Sequence, residues 1–422
     1  VVDKVYREGE AELLSLDLIS FDGSRTMSIV SQFQIMRIFE SILSPVIQLE
    51  VALFDAINLF ETFPITGEEY IEVEFRTPGT DTTNKTRVKV THVSDRMVMP
   101  NNRGIIYSLS GVSDEIVKNN STRVSKGYKD TGDAIIEDLL MNVLGTKKKF
   151  YKEGTTKGTM EVVVPNMYPL QAIDYIRLGL VSTKYESSSF VFFENQNGFA
   201  LCTLEHAFEI GHDGIGDRMF FFDTDANADI SRNNFRNVLA YKHLTSASQL
   251  SSIARGHVVS ETTRIDLRTG DVEKKRFDLS DKEGDFKFPD KNPTGMMTSS
   301  FQSAVSDKPA ERMLIPFNSK HPENFVLDSI GAKRSFINLL TQNVTQVLVY
   351  GDSGLTIGQV VNLKLPKVNG LTADNGSLKD SELVSGNYGI AKLCHILSNE
   401  GGSIAHTTVM ECLKGSYGES DK

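Results

Sequence analysis

Glu69-Tyr70-Ile71-Glu72-Val73-Glu74-Phe75-Arg76 is the stretch on which the fold turns. Ile71, Val73 and Phe75 fall on one side of a two-residue period, and Glu72, Glu74 and Arg76 on the other. That period belongs to a strand with one dry and one wet face. Upstream, Gln48 to Phe54 repeats it, with Leu49, Val51 and Leu53 against Gln48, Glu50 and Ala52. Downstream, Val88 and Val90 alternate with Arg87, Lys89 and Thr91, and Gly104 to Val112 is the next strand. Pro78-Gly79 with Thr80 to Asn84 supplies a polar turn between two of them. Short alternating strands at close spacing predict a barrel or sandwich over about the first 110 residues.

At Ser113 the period changes. Ser113-Asp114-Glu115 ahead of Ile116 and Val117 reads as a helix start with an acidic first turn. Ile135, Ile136, Leu139, Leu140 and Val143 recur at helical spacing up to Gly145, and Pro169 to Leu180 is a second amphipathic helix. Phe190 to Phe193 and Phe199 to Thr203 predict a hairpin across Asn197-Gly198. Phe235 to Leu250 reads as helix, and Gly256 to Phe277 as two strands about Thr269-Gly270-Asp271. Ser280 to Pro322 is polar and aperiodic, the pattern of a linker. A helix from Gly331 to Thr341 then leads into strands at Val347 to Tyr350, Val360 to Leu365, Tyr388 to Leu397 and Ile404 to Lys414.

At 422 residues the chain has room for two to four domains. Acidic residues outnumber basic ones, 55 to 45, and the net charge of -10 argues against a protein that grips phosphates. No apolar run is long enough to span a bilayer, so no membrane insertion is expected. Cys202, Cys394 and Cys412 are too scattered for a disulfide framework, which suits a reducing compartment. No secretory signal is expected, and a chain opening Val1-Val2 without methionine is expected to be missing residues there or to have been processed.

Motifs for chemistry fall short of their requirements. Asp223-Thr224-Asp225-Ala226-Asn227-Ala228-Asp229 opens like a calcium loop, but Ala228 and Asn234 stand where glycine and a bidentate glutamate are needed. His206, His212 and Asp213, with Glu205 and Glu209 nearby, lack a metal-binding spacing. Cys394 and His395 are adjacent on a strand and so point to opposite faces; Cys394 is expected to be a small core residue. Lys147, Lys148 and Lys149 read as a solvated helix end. Gly351-Asp352-Ser353-Gly354 lacks the P-loop lysine, and no nucleophile elbow occurs. No enzyme, metal or cofactor is expected.

The order of segments is similar to that of the central baseplate hub protein of contractile-tailed phages, a family sharing its fold with the hub part of type VI secretion spike proteins. The resemblance is carried by several runs. Gly67 to Phe75 after Pro64-Ile65 looks like the strand pair that closes the family's first barrel, and Arg123 to Tyr128 like the link into its helical insertion. Val164-Pro165-Asn166 to Pro169 with Ile173 and Ile176, then Phe190 to Asn195 with Gly198-Phe199, look like the helix and hairpin that follow. Gly351-Asp352-Ser353-Gly354-Leu355, Gly358 and Val360 to Pro366 look like the opening of its second barrel, and Ser385 to Ile390 with His395 like its closing strands.

The resemblance implies an α+β, mainly β chain: two tube-type β-barrels with a mixed α/β insertion, assembling as a trimeric ring. The expected units are 1-112, a first barrel completed by 232-280; 113-231, the insertion; 281-330, a loop-rich linker; and 331-422, a second barrel. The implied role is a structural hub, a homotrimer joining a six-fold tail tube above to a three-fold central spike below, with baseplate wedge proteins as further possible partners. DNA would pass without specific binding, in a virion tail baseplate assembled in the host cytoplasm. Glu72 and Glu74, on the wet face of Glu69 to Arg76, are candidates for the bore or the subunit rim. Two other readings compete. A cell-wall or polysaccharide hydrolase would use acid pairs such as Asp223/Asp225 or Glu205/Glu209. A receptor-binding or adhesion module is the weaker of the two, since such proteins are usually fibrous or end in β-rich tips.

Overall fold

The computed structural model describes residues 8–80, 82–100, 103–222, 236–246, 249–281, 286–290, 311–317, 326–367 and 380–415. Alternating dry and wet positions produce seven strands in the first part of the chain. They are β1 (Glu12–Ile19), β2 (Thr26–Ser28), β3 (Phe33–Ser41), β4 (Gln48–Asp55), β5 (Tyr70–Arg76), β6 (Thr83–Val98) and β7 (Ile105–Ser113). Their inward side chains, among them Leu16, Met36, Val51, Val73, Phe75 and Tyr107, form one core. Each fully buried aliphatic or aromatic side chain there contributes about 1.5–3 kcal/mol.

The middle of the chain is mixed, as its change of period predicts. β8 (Val124–Asp130) pairs with β10 (Met160–Met167), and β9 (Phe150–Lys152) joins the hairpin β11 (Phe190–Asn195) and β12 (Gly198–Thr203). The helix Gly132–Asp138 runs into a wider π-turn, Leu139–Leu144, which ends at Gly145 with φ 64. With the helix Pro169–Arg177 it buries Ile135, Ile136, Leu139, Leu140, Ile173 and Ile176 in a second core.

β13 (Met219–Phe221), β14 (Val238–Ser246), β15 (Val259–Asp266), β16 (Val272–Asp278) and β17 (Glu311–Phe317) come next. The helix Val326–Thr341 precedes β18 (Asn343–Tyr350), β19 (Val360–Lys364), β20 (Gly386–Glu400) and β21 (Ser403–Leu413). Two readings are corrected. Among the described residues, Phe235 to Leu250 is not a continuous helix: Val238–Ser246 is a strand, antiparallel to β18, and the helix Gln249–Ala254 follows it. Within the expected linker, Glu311–Phe317 is a strand parallel to β15, in a small sheet of its own with β16.

The two β-rich parts are joined into one sheet. β20 pairs antiparallel with β3, from Lys392 opposite Ser41 to Ser398 opposite Ile35. The strands run in the order β14-β18-β21-β20-β3-β4-β7-β6-β5-β1-β2, with β19 and β13 branching from β20. β6 pairs through its first half with β5 and through its second with β7, and β20 likewise serves β19 and β3, so each long strand carries the sheet over its own core. The path is open: no described strand closes a barrel. Among the described residues, no helix is long and apolar enough to cross a membrane.

Candidate functional site

The outer face of the central strands is the first candidate surface. Along β20, Leu393, His395 and Leu397 point into the cores while Lys392, Cys394 and Ile396 point outward. β3 adds Arg37 and Phe39, β4 adds Gln48 and Glu50, and β21 adds Val409 and Glu411 around a shallow hollow of about 590 Å³. Register sets the electrostatics of this face. Arg37 lies directly opposite Glu50, with Nη1 3.3 Å from Oε2. Lys392 lies directly opposite Glu411, with Nζ 2.7 Å from Oε2. Half-exposed pairs of this kind are worth at most about 1 kcal/mol each. Their larger effect is to pair off the exposed charges of these strands, while Glu40, which also lines the hollow, is buried. Cys394 sits on this face, half-exposed, and not in the core; partial burial pushes its thiol up to about 11, so it is no ready nucleophile.

Glu72 and Glu74 lie elsewhere, on β5, beyond β6 from the central run. Lys85 on β6 reaches both, 3.0 Å from Glu72 and 3.4 Å from Glu74, and Arg87 stands 3.9 Å from Glu72. The hydrogen bond from Lys85 to Glu72, with their Coulomb attraction, holds that ammonium above its usual range. The acidic row read from the sequence is therefore half of a mixed-charge ladder.

The His206 neighbourhood forms no metal centre. Glu205 is buried and accepts a hydrogen bond from Ser189. Glu209 is held by Lys184 at 2.5 Å and by the Tyr185 hydroxyl, which also stands 3.3 Å from His206 Nδ1. Among the described residues, no group of three metal-binding side chains assembles. Asp223 to Asp229, with the Asp223/Asp225 pair, lies outside the described residues.

Three buried polar junctions match no sequence motif. Glu40 on β3 accepts from Thr356 Oγ1 at 2.6 Å, Ile357 N at 3.3 Å and Gln196 N at 3.2 Å, tying all three parts of the chain; burial pushes its carboxyl up to about 7. Lys148 is not a solvated lysine: its ammonium bridges Glu115 at 2.7 Å and Glu194 at 2.5 Å, and Glu194 also accepts from Ser113 and from Ile47 N. His395 and His406 are fully buried. His395 Nε2 donates to the Leu355 carbonyl at 3.3 Å, which leaves Nδ1 to accept from His406 Nε2 at 3.1 Å. Phe75 of β5 packs edge-on against both rings. A Cβ on Gly351 would stand 2.0 Å from His406 Cγ, so only glycine fits there. The strand period did carry one signal, since Leu393, His395 and Leu397 share the inward face. Partners hundreds of residues away left none.

No protein-family model matches the chain, and no curated protein matches it. Two solved structures share its architecture over nearly their whole length. One is the tail protein from Neisseria meningitidis, with a TM-score of 0.54 and 12% identity, covering 95% of this chain and 96% of that one. The other is the 43 kDa tail protein of prophage MuSo2 from Shewanella oneidensis, with a TM-score of 0.53 and 11% identity, covering 95% and 98%. The fold is that of phage tail proteins, in keeping with the hub-like organisation expected from the segment order.

Proposed function

We propose that this chain is the structural baseplate hub of a contractile phage tail, a homotrimer that adapts a six-fold tail tube to a three-fold spike and forms a conduit for DNA. The observation that carries the reading is the strand run β14-β18-β21-β20-β3-β4-β7-β6. It consists of two four-strand blocks joined edge to edge at β20 and β3. Three copies present six such blocks, which is what symmetry matching requires.

The run also has two free edges for building a ring. Among the described residues, nothing pairs with the outer side of β14, and residues 91–98 of β6 pair only with β7. Leu239 and Leu244 are exposed at the first edge, Met97 and Val98 at the second. Pairing the first edge of one copy with the second edge of the next is a head-to-tail contact, and such contacts close when the rotation allows. The charge-balanced outer face would then line the bore, two tube-type barrels per chain, and Glu72 and Glu74 would sit at the subunit rim. A tail tube protein above, a spike protein below and wedge proteins at the side are the partners, in the virion tail. The role involves assembly and passage, with no chemical step.

Light scattering on the purified chain tests this. The expected mass is three times that of one chain, and either Leu244→Asp or Met97→Asp should return it to one. A wild-type monomer at high concentration would overturn the trimer.

A further inference from the structure

A second cavity, of about 650 Å³, lies where the middle of the chain meets β16 and the helix Val326–Thr341. Lys157, Lys184, Lys275, Lys287 and Lys333 line it, against the carboxylates of Glu186, Glu205 and Asp328. In a chain of net charge -10, that local reversal does not follow from composition. Two of the three carboxylates are engaged or buried, while Glu186 is exposed at the rim. Asp328 holds Lys275 at 3.1 Å and also pairs with Arg264, and Glu205 is 4% exposed with Ser189 bonded to it. Lys184 is taken by Glu209. Among the described residues, Lys287 and Lys333 make no ion pair. Lys333 is half-buried; its desolvation and the nearby Arg177 lower its ammonium, and the nearby Asp174 and Glu205 only partly offset them. Gathering like charges in a partly dry hollow is costly unless an anion enters to share them. Tyr185 and Phe286 give the hollow aromatic surface as well, and its volume falls in the range of about 300–1,000 Å³ typical of small-molecule sites.

We propose that this cavity is a binding site for a small ligand bearing several oxyanion groups, phosphates or carboxylates. Lys287 and Lys333 supply the unpaired charge, and the aromatic wall accepts the ligand's frame. The site is distinct from the strand run and does not depend on assembly.

Titration calorimetry of the full chain at fixed ionic strength tests it, with sodium tripolyphosphate in one arm and citrate in the other. Saturable binding of at least one anion is expected, and the arm that binds identifies the oxyanion. Lys333→Met and Lys287→Gln should each weaken it about tenfold or more, as loss of a charge-assisted hydrogen bond does, while Lys287→Arg retains it. Lys287 is exposed, so its variant keeps the test decisive if Lys333→Met folds poorly. Heat without saturation in both arms would overturn the proposal. So would wild-type affinity in folded Lys333→Met and Lys287→Gln.

Discussion

His395 and His406 place two ionisable rings where no water reaches them, in the seam between the two β-rich parts. Burial holds His395 down at about 4 and His406 well below its usual value, so both stay neutral near pH 7. Unfolding frees them to titrate at about 6.5. With folded values depressed, their stabilising contribution is full above about pH 6.5 and is lost as pH falls towards 4. For His395 alone the shift corresponds to roughly 3 kcal/mol at the acid end. Glu40 runs the other way: its raised folded value penalises the native state above about pH 7 and relieves it as pH falls. Urea unfolding at several pH values separates the two. His406→Gln should show a shallower loss of stability between pH 6.5 and 4.5 than the wild type; an unchanged slope would remove the histidine explanation.

Elements were legible where one rule governed them. β5 and β21 declare themselves by alternation, and the hairpin β11–β12 by Asn197-Gly198, although the turn itself is Gln196-Asn197 and Gly198, at φ 131, already pairs with Asn195. β14 was not legible. Register shifts between Val238 and Ala240 and between His243 and Thr245 break its period of two, and Val238, Tyr241 and Leu244 then fall three apart, as on a helix. Pairing with β18 overrides that local pattern. Lys148 shows the same limit among side chains: a run of three lysines at a helix end looks solvated until Glu115 and Glu194 arrive from other elements. Because Glu194 is almost fully buried, Lys148→Met should cost about 3–5 kcal/mol by stranding a charge. Adding Glu194→Gln should recover much of it. Denaturant midpoints for the double-mutant cycle measure this, and strict additivity of the two changes would contradict the bridge.

For the whole molecule, the consequential contact is β20 on β3, which turns two β-rich parts into one sheet with a continuous outer face. The cross-strand pairs Arg37–Glu50 and Lys392–Glu411 balance the charge of that face, and under the proposed conduit role such a wall would release few counterions to passing DNA. Wild-type protein should therefore show little affinity for duplex DNA at moderate salt. Glu50→Lys with Glu411→Lys should create affinity that falls steeply as salt rises, measurable by fluorescence anisotropy. Tight salt-dependent binding by the wild type would contradict the neutral-bore reading. The sequence by itself determined the mainly β class, the mixed middle and most strand positions, because one-sided burial writes a period into neighbouring residues. It also suggested the tail-protein architecture through the order of its segments. Only the tertiary structure decided that β14 and Glu311–Phe317 are strands, that the two β-rich parts share a sheet, and that Glu72 and Glu74 belong to a charge ladder away from the central face. Those outcomes depend on which edges and side chains meet across long stretches of chain, and local periodicity does not encode that.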